Sequence, residues 1–346
     1  MTFGMLRDMT PSLLARIARG QGLTCEQAGT LFEELMTGRM RGDDAESLLL
    51  ALADRGETVD ELVGAARVMR RHLVPIACDA PNAIDTCGTG GDGVSTFNVS
   101  TAAAFIAAGA GAVVAKHGNK TNSRRSGSAE ALAALGVNID APPTVVERCL
   151  RDIGIGFLFA PRLHPAMARV ADLRRKLGRP TIFNLLGPLT NPAGVRRQVI
   201  GVPRDDLTVK LATALIRLGA ERAFVVHGND GLCDLSSTGP SRVLEVNAGR
   251  VSESEITPED AGLPCGSLSE LTIDSPAQSA KAIGEILDGQ PGARRNHALL
   301  NAAVALVAAG IADDLKDGVL RAAASIDTGA ARAKLDRLVE LSGAAK

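Results

Sequence analysis

The stretch Asp85-Thr-Cys-Gly-Thr-Gly-Gly-Asp-Gly93 indicates a strand that ends in a glycine-rich turn, and the rest of the fold is organised around it. A short apolar approach at 83–84 predicts a strand, and the glycines allow a sharp turn after it. Ser100 or Thr101 is placed to cap a helix that runs from Ala102 to about Gly109. Backbone N–H groups of the turn and the helix start would converge on one point, where the helix dipole adds partial positive charge. The stretch therefore predicts an anion site suited to a phosphate.

The same glycines fit the Gly-x-Gly-x-x-Gly pattern of dinucleotide-binding folds, which is a weak signal by itself. Such a fold expects an acidic residue about twenty positions further on, where it holds ribose hydroxyls. Here the next predicted strand, at about 112–115, ends in the basic stretch Lys116-His-Gly-Asn119. Asp92 would repel phosphate unless it faces sugar hydroxyls or a cation. A phosphorylated sugar bound with a metal is therefore favoured, and a turn that only packs a helix on a strand is the alternative.

The composition restricts the class of protein. The chain has 346 residues, 45% hydrophobic and 22% charged, as in a globular protein with one large core or two unequal domains. A net charge of -1 and 2% aromatic residues, without Trp or Tyr, argue against nucleic acid or a membrane surface as a partner. Six scattered cysteines and the lack of an apolar leader predict reduced thiols and a cytoplasmic location.

The order of predicted elements gives the fold class. The first 75 residues predict three short helices, with capping boxes at Thr24-x-x-Gln27 and Thr58-x-x-Glu61. After Pro75 strands and helices alternate, which predicts a parallel sheet. We predict an α/β protein: a small all-helical domain plus a large α/β domain with a mostly parallel central sheet flanked by helices. Strands are predicted at about 83–86, 112–115, 155–160, 181–185, 198–202, 222–227 and 242–247.

Polar loops follow several of these strands, where open α/β sheets bind their ligands. The loop 116–128 holds four cationic side chains and several hydroxyls, which favours anion binding over a solvated loop. An arginine of the helix after residue 167 can fork onto a carboxylate, although clustered arginines can also form a solvated face. The stretch 184–192, with two prolines, predicts a rigid wall for a flat ligand. Asp230 and Asp234 suit a hydrated magnesium ion or, alternatively, a capped polar turn.

Taken together, these motifs resemble the anthranilate phosphoribosyltransferases, the tryptophan-pathway members of the nucleoside phosphorylase-like phosphoribosyltransferases. The resemblance spans nearly the whole chain. It implies transfer of a phosphoribosyl group from 5-phosphoribosyl 1-pyrophosphate (PRPP) to the amine of anthranilate, with Mg²⁺ and release of pyrophosphate. The motifs that carry the resemblance are Gly88-Thr-Gly-Gly-Asp92, Asn98-Val-Ser-Thr101, Lys116-His-Gly-Asn119, Ser126-Gly-Ser128, His164-Pro-Ala-Met167 and Asn184-Leu-Leu-Gly-Pro-Leu-Thr-Asn-Pro192.

The resemblance also implies a domain division and a homodimer through the N-terminal helical domain. The small helical domain is expected at 1–76, completed by about 165–187, and the PRPP-binding α/β domain at 77–164 and 188–346. The residues expected at the site fall into four groups. They are Lys116, His117, Asn119 and Arg174 for catalysis; Gly88, Gly90, Gly91, Asp92, Thr96, Asn98, Ser100, Thr101, Lys116 and Ser128 for PRPP; Gly88, Asn119, His164, Arg174, Gly187 and Pro188 for anthranilate; and Ser100 and Asp234 for the metal.

Two departures from the family pattern keep other functions open. Cys233-Asp234 stands where the family usually has adjacent Asp and Glu, and thiols are poor magnesium ligands. The loop 120–125, with Lys120, Asn122 and Arg124, differs from the family loop, which usually reads Asn-Arg followed by small residues. The alternatives are a paralogue of the same fold that uses another aromatic or heterocyclic acceptor, a nucleoside phosphorylase, and a low-activity protein that binds PRPP or nucleic acid.

Overall fold

The structure is a computed structural model that describes residues 10–91, 93–121 and 125–343. From residue 10 onward, its N-terminal unit has four helices, one more than predicted: α1 (Thr10–Ala18), α2 (Cys25–Thr37), α3 (Gly42–Arg55) and α4 (Val59–His72). Both capping boxes are confirmed, since the Thr24 and Thr58 hydroxyls accept backbone bonds at the starts of α2 and α4. The carboxylate of Glu61 is fully buried and also accepts a bond from Leu23 N at 2.9 Å, which joins α4 to the α1–α2 connection.

Seven strands of the described residues form one sheet, in the order β3-β2-β1-β4-β5-β6-β7. β1 to β5 run parallel, while β6 and β7 are antiparallel to their neighbours. The prediction of a mostly parallel sheet is therefore confirmed. β2 and β3 lie on one side of β1, and β4 to β7 lie on the other, so the strand order reverses at β1. Open α/β sheets bind their ligands at such a point. The strands are β1 (Ile84–Gly88), β2 (Val114–Gly118), β3 (Ile155–Phe159), β4 (Arg197–Gly201), β5 (Arg222–Gly228), β6 (Ser241–Asn247) and β7 (Arg250–Ile256).

Helices cover both faces of the sheet, because successive strand residues point to opposite sides. Val199 belongs to the buried cluster under α5 and α13 to α16, whereas Ile200 belongs to the cluster shared with α11 and the N-terminal helices. The remaining helices are α5 (Val99–Gly109), α6 (Ser128–Ala134), α7 (Pro143–Ile153), α8 (Ala160–Leu163), α9 (Ala168–Leu177), α10 (Ile182–Leu186), α11 (Asp206–Arg217), α12 (Leu268–Leu271), α13 (Pro276–Leu287), α14 (Ala293–Ala309), α15 (Leu315–Asp327) and α16 (Ala330–Gly343).

The segment from α9 to α10 returns to the N-terminal helices. Val170 and Ile182 lie in the same buried cluster as Leu31 of α2. The Phe32 and Phe183 rings meet edge to face, with their centroids 5.9 Å apart. This packing is why residues far apart in the chain can build one helical layer beside the sheet.

Two local predictions were wrong, and one strand was missed. The segment 181–185 is helix α10 and not a strand, because the Asn184 side chain accepts a bond from Thr181 N at 3.1 Å, as in a helix start. Helix α5 begins at Val99 with Asn98 in the capping position, so neither Ser100 nor Thr101 caps it. Strand β7 was not predicted: it is an edge strand with almost every side chain exposed, so it lacks the alternation that marks a half-buried strand.

β1 and β2 separate soon after they meet. They pair only at Ile84 and Val114, whereas β1 pairs with β4 along its whole length, from Ile84 to Gly88. The side chains of Asp85 and Lys116 lie in the gap between β1 and β2. No helix in the described part of the chain is both long enough and apolar enough to span a bilayer.

Candidate functional site

The glycine turn lies at the carboxyl end of β1, against the ends of neighbouring strands. Gly90, Gly91 and Gly93 have φ of 66°, 86° and 71°, a region that favours glycine. Thr89 N donates to Gly201 O at 2.9 Å, which ties the turn to β4. A Cβ on Gly201 would lie 1.5 Å from Cys233 O, so the 230–236 turn packs directly on β4. Asp92 lies outside the described residues.

Asn98, at the start of α5, joins three segments. Its Oδ1 accepts from the Ser126 hydroxyl at 2.7 Å and from the Ser279 hydroxyl at 2.8 Å, and its Nδ2 donates to Ser126 O at 3.2 Å. The start of α5 is therefore fixed against the 116–128 loop and α13. Next to it, Thr96 and Thr101 are buried, and their hydroxyl oxygens make no hydrogen bond within the described residues.

Lys116 is buried in the gap between β1 and β2. Its Nζ donates to Thr86 O at 2.6 Å and to Ser100 Oγ at 3.2 Å, beside the first turn of α5. Burial lowers the pKa of Lys116, and the negative charges of Asp85 and Asp234 oppose that shift. A cation and a helix N-terminus thus lie together near the glycine turn, as binding of a phosphate requires.

Asp85 was not among the predicted site residues, yet it lies beside Lys116 in the same gap. Its carboxylate is fully buried and accepts bonds from His117 N at 3.0 Å and from Asn191 Nδ2 at 2.9 Å. Burial raises the pKa of Asp85, while Lys116 and these hydrogen bonds lower it. An acidic residue inside a short apolar strand was the sequence signal that could have identified it, because a carboxylate is rarely buried without a specific set of donors.

His117 and His164 form a buried pair with lowered basicity. The Nδ1–H of His117 donates to Gly187 O at 3.1 Å, and the Nε2 atoms of the two rings are 3.2 Å apart. Burial, aided by His164, lowers the pKa of His117 to about 3. Burial also lowers the pKa of His164 to about 4. Both rings are therefore neutral at physiological pH.

Arg174 and the wall formed by residues 184–192 lie on the side of the helical layer. The guanidinium carbon of Arg174 lies 5.3 Å from the Phe183 ring centroid, and burial lowers the pKa of Arg174. The next residue, Arg175, is exposed and pairs with Asp172 at 3.0 Å. Gln198 Nε2 donates to Pro188 O at 2.7 Å, which fastens the wall to β4. Arg174 is thus the partly buried arginine of this helix, held by a ring and not by a carboxylate of the described chain.

Asn119 and Ser128 lie at the two ends of the loop that follows β2. Asn119 O accepts bonds from the Ser128 hydroxyl at 3.4 Å and from Ala129 N at 3.3 Å. Asn119 Oδ1 accepts a bond from Lys120 N at 2.8 Å. The loop ends are closed locally, which places the start of α6 beside the end of β2. The altered positions Asn122 and Arg124 lie outside the described residues.

The two aspartates of the 230–236 turn have different surroundings. Asp230 accepts bonds from Leu232 N at 3.2 Å and from the Ser236 and Thr238 hydroxyls, so it organises its own turn. Asp234 is partly exposed and stabilises the charge of Lys116. Cys233 is buried, and its thiol donates to Gly90 O at 3.7 Å. Asp234 therefore has the exposure and the chemistry expected of a metal ligand near the glycine turn, while Cys233 reaches the same turn with a thiol in place of an oxygen donor.

The donor set fits one magnesium ion shared with a substrate better than a site made by protein alone. Across 10–91, 93–121 and 125–343, no three His, Cys, Asp or Glu side chains are grouped to hold a metal ion. Mg²⁺ commonly uses one or two carboxylates and completes its shell with water and phosphate oxygens. Asp234 and the Ser100 hydroxyl supply hard oxygen donors of that kind.

Two sequence profiles cover most of the chain. One is described as the a/b domain of a glycosyl transferase family and matches residues 80–332; the other is the helical bundle domain of the same family and matches residues 11–73. Among curated relatives, anthranilate phosphoribosyltransferase of Anaeromyxobacter sp. (strain K) is 52% identical over 331 residues, or 96% of this chain and 98% of that protein. The enzyme of that name from Rhodopseudomonas palustris (strain TIE-1) is 48% identical over 334 residues, or 96% of this chain and 98% of that protein.

Solved structures with the same fold carry the same enzyme name. The crystal structure of anthranilate phosphoribosyltransferase from Thermus thermophilus superposes with a TM-score of 0.90 at 40% identity, over 96% of this chain and 99% of that one. The Saccharomyces cerevisiae enzyme in complex with PRPP and Mg gives a TM-score of 0.86 at 28% identity, over 99% of this chain and 98% of that one. The expected fold class, helical domain included, is confirmed by these similarities.

Proposed function

The chain belongs to the anthranilate phosphoribosyltransferase family, and we propose that it transfers the 5-phosphoribosyl group of PRPP to the amine of anthranilate with release of pyrophosphate. The observation that carries this proposal is the placement of a phosphate-type site and a neutral apolar site on either side of residues 116–117. The buried Lys116 ammonium faces Ser100, while the His117 ring faces His164 and Gly187 of the 184–192 wall.

PRPP would occupy the side of the glycine turn. The cationic Lys116 and the N-terminus of α5 attract its phosphates, and the glycines leave backbone N–H groups accessible to oxygen atoms. The first turn of α5 supplies the partly exposed Ser100 hydroxyl and the buried Thr101 hydroxyl. The residues assigned to PRPP are Gly88, Gly90, Gly91, Asp92, Thr96, Asn98, Ser100, Thr101, Lys116 and Ser128.

Anthranilate would occupy the side of the wall. Arg174 would pair with its carboxylate, because a guanidinium forms two parallel bonds with a carboxylate. The neutral His117 and His164 rings, with Gly187 and Pro188, give the flat aromatic ring an uncharged surface. Asn119 and Gly88 complete the assignment.

The reaction needs a positioned amine more than it needs a strong base. The C1–O bond to pyrophosphate breaks, the ribose gains oxocarbenium character, and the amine nitrogen forms the new bond to C1. The nitrogen then releases a proton to water, which is easy for an aniline nitrogen once it is bonded to carbon. Lys116 stabilises the negative charge of the leaving group. Neutral His117 and His164 avoid electrostatic repulsion of the developing positive charge on the ribose.

Magnesium would be held by Ser100 and Asp234 together with PRPP. When bound, Mg²⁺ neutralises pyrophosphate oxygens and so makes that group easier to displace. Asp230 is excluded from this role in our assignment, because its oxygens accept bonds from its own turn.

We also propose the domain division, the dimer and the location stated at the sequence level. The return of residues 165–187 to the N-terminal helices supports the small domain at 1–76 plus 165–187, with 77–164 and 188–346 as the PRPP-binding domain. A homodimer through the helical domain would cover its outer surface. A cytoplasmic location is supported by the six cysteines, all in the described chain, which form no disulfide.

The test of this function is the loss of anthranilate fluorescence when the purified protein is mixed with PRPP and Mg²⁺. We expect turnover that requires all three components. Calorimetric binding of PRPP without turnover would overturn the choice of acceptor and favour a paralogue that uses another aromatic or heterocyclic amine. If the protein shows neither binding of PRPP nor turnover, the proposal as a whole is overturned.

A further inference from the structure

The separation of β1 and β2 places one carboxylate between two parts of the proposed site. After Ile84 the strands no longer pair, and Asp85 Oδ1 accepts the bond from His117 N that a strand neighbour would otherwise accept. Asp85 Oδ2 accepts a bond from Asn191 Nδ2. One side chain of β1 thus contacts both β2 and the end of the wall.

The orientation of the Asn191 amide is fixed by its other bonds. Its Nδ2 also donates to Ala115 O at 2.9 Å, and its Oδ1 accepts from Ala193 N at 2.8 Å. The group that faces Asp85 is therefore an N–H donor and cannot rotate into an acceptor without losing these bonds. His117 N and Asn191 Nδ2 are both donors, and the two oxygens of a carboxylate accept from both at once, whereas an amide at position 85 would turn a donor towards one of them.

These bonds form a closed circuit around His117. Its backbone N–H is held by Asp85, its ring Nδ1–H is held by Gly187 O, and the wall is held a second time where Asn191 meets Asp85. Lys116, which precedes His117 in β2, points to the opposite side of the strand. A shift of this backbone would therefore move the phosphate-side cation and the wall-side histidine together.

We propose that Asp85 is a positioning residue for the transfer reaction: its carboxylate sets His117 and the Asn191 end of the wall relative to β1, and so sets the distance between the two substrates. The inference rests on the proposed function, which it deepens. Asp85 touches neither substrate in this assignment. It acts through the backbone of His117 and through the Asn191 side chain.

The test compares Asp85→Asn with a matched control, Glu61→Gln. Both native side chains are fully buried carboxylates that accept N–H bonds, but Glu61 lies in the N-terminal helices among Leu23, Arg55 and Thr58. We expect Asp85→Asn to lower kcat/KM for anthranilate on the order of 100-fold, because misplacement by about 1 Å costs that much. Glu61→Gln should reduce the melting temperature and leave kcat and both KM values unchanged.

The exchange Asp85→Asn with Asn191→Asp provides the rescue. The introduced amide at position 85 can donate to the introduced carboxylate at position 191, which still accepts from Ala193 N, and only the bond to Ala115 O is lost. We expect the double variant to recover about tenfold of the lost kcat/KM, since one bond of the set is missing. A folded Asp85→Asn protein with wild-type kinetics, or a double variant no better than the single one, would overturn the proposal.

A second variant decides the matter if Asp85→Asn does not fold. Asn191→Ala keeps the carboxylate and releases the wall, so it should raise KM for anthranilate at least about fivefold and leave KM for PRPP unchanged; an unchanged KM for anthranilate overturns the inference. If the wild-type protein shows no turnover, the proposed function fails. The structural role of Asp85 is then tested by hydrogen exchange of the 114–118 and 185–192 peptides. Faster exchange in Asp85→Asn than in Glu61→Gln supports positioning, and equal exchange overturns it.

Discussion

The Nε2 atom of His164 lies 3.2 Å from the Nε2 atom of His117, and this contact determines where the hydrogens of both rings lie. His117 must carry its proton on Nδ1, because that atom donates to the carbonyl of Gly187. Its Nε2 is then an acceptor, and His164 must donate from its own Nε2. The pair is thus a directed chain of hydrogen bonds that ends on the wall, with no proton to spare for a second acceptor.

Both histidines of the pair are predicted to remain neutral at pH values well below about 6.5, where a histidine ordinarily gains its proton. A lowered pKa means that the neutral form persists as the pH falls, here to about 3 for His117 and about 4 for His164. In NMR titration of histidine-labelled protein, the signals assigned by His117→Asn and His164→Asn should keep their neutral-form shifts between pH 8 and pH 5. Movement of either signal with a midpoint near 6.5 would contradict the buried pairing.

Arg174→Ala is predicted to weaken use of anthranilate. Loss of a charge-assisted pair costs about 1.5–3 kcal/mol, so kcat/KM for anthranilate should fall roughly 10- to 150-fold while KM for PRPP stays the same. Arg175→Ala is the matched control, since that side chain on the same helix is exposed and pairs with Asp172. Equal losses in the two variants would show that the helix, and not the Arg174 side chain, is responsible.

Cys233→Asp is predicted to lower the Mg²⁺ concentration needed for half-maximal activity. A carboxylate is a much better magnesium ligand than a thiol, and one added ligand should change the requirement on the order of tenfold. Cys233→Ser tests size and polarity without charge and should leave the requirement unchanged. The magnesium dependence of the initial rate, measured at saturating PRPP, distinguishes the variants. A wild-type requirement already equal to that of Cys233→Asp would be against the idea that the thiol weakens the site.

Gly201→Ala is predicted to destabilise the fold by at least about 3 kcal/mol, since a Cβ at that position would lie 1.5 Å from the carbonyl oxygen of Cys233. The 230–236 turn would have to move away from β4. The free energy of unfolding should therefore fall, and the Mg²⁺ concentration needed for half-maximal activity should rise. Gly42→Ala, at the first residue of α3 with no atom within 4 Å of the added methyl, should leave the melting temperature unchanged or raise it. Urea unfolding of the two variants measures the difference, and equal midpoints would refute the close packing.

His297 is predicted to make the fold sensitive to acid. Its ring is fully buried with no hydrogen bond to either nitrogen from the described chain, and burial lowers its pKa from 6.5 to about 4. The unfolded chain binds this proton near pH 6.5 and the folded one only near pH 4, so stability is complete above 6.5 and falls by about 3 kcal/mol as the pH drops through that window.

His297→Leu is the variant that measures this contribution. It should remove the part of the pH dependence that belongs to His297 and should not lower stability at pH 7, because no hydrogen bond is lost. Urea unfolding of both proteins at pH 7 and pH 5 provides the comparison. A wild-type loss between these pH values that persists in full in His297→Leu would assign the acid sensitivity to other groups.

Much of the sheet and both capping boxes could be predicted from sequence, because apolar runs and capping residues act locally. Strand assignment failed at 181–185 for a local reason as well: Thr181 and Asn184 form a helix start around an apolar pair that resembles a buried strand. β7 could not be found by hydrophobic alternation because neither of its faces is buried. The start of α5 was placed too late, since Asn98 is held by Ser126 and Ser279 from distant segments.

Site residues could be proposed from the sequence where the residue type itself carries the chemistry, as for Lys116 and Arg174. It was not predictable where a role depends on contacts across the sheet. Asp85 and Gly201 belong to this second group, because the donors around Asp85 and the carbonyl packed on Gly201 come from segments about 30 to 110 residues away. Asp230 and Asp234 looked alike in sequence, but in the structure Asp230 accepts bonds from the Ser236 and Thr238 hydroxyls, whereas Asp234 stabilises the charge of Lys116.

The exposed edge strand β7 bears on how crowded copies of this protein behave. A sheet edge offers unpaired backbone groups to any neighbouring strand, and long flat apolar edges lead to fibrils. Here the edge carries Arg250, Glu253 and Glu255, and Arg242 of β6 forms an ion pair with Glu253 at 2.9 Å. A second molecule that approached this edge would meet charges that must lose water before any backbone bond formed. The charged side chains of β7 therefore oppose pairing of this edge with a strand of a second molecule, which disfavours aggregation.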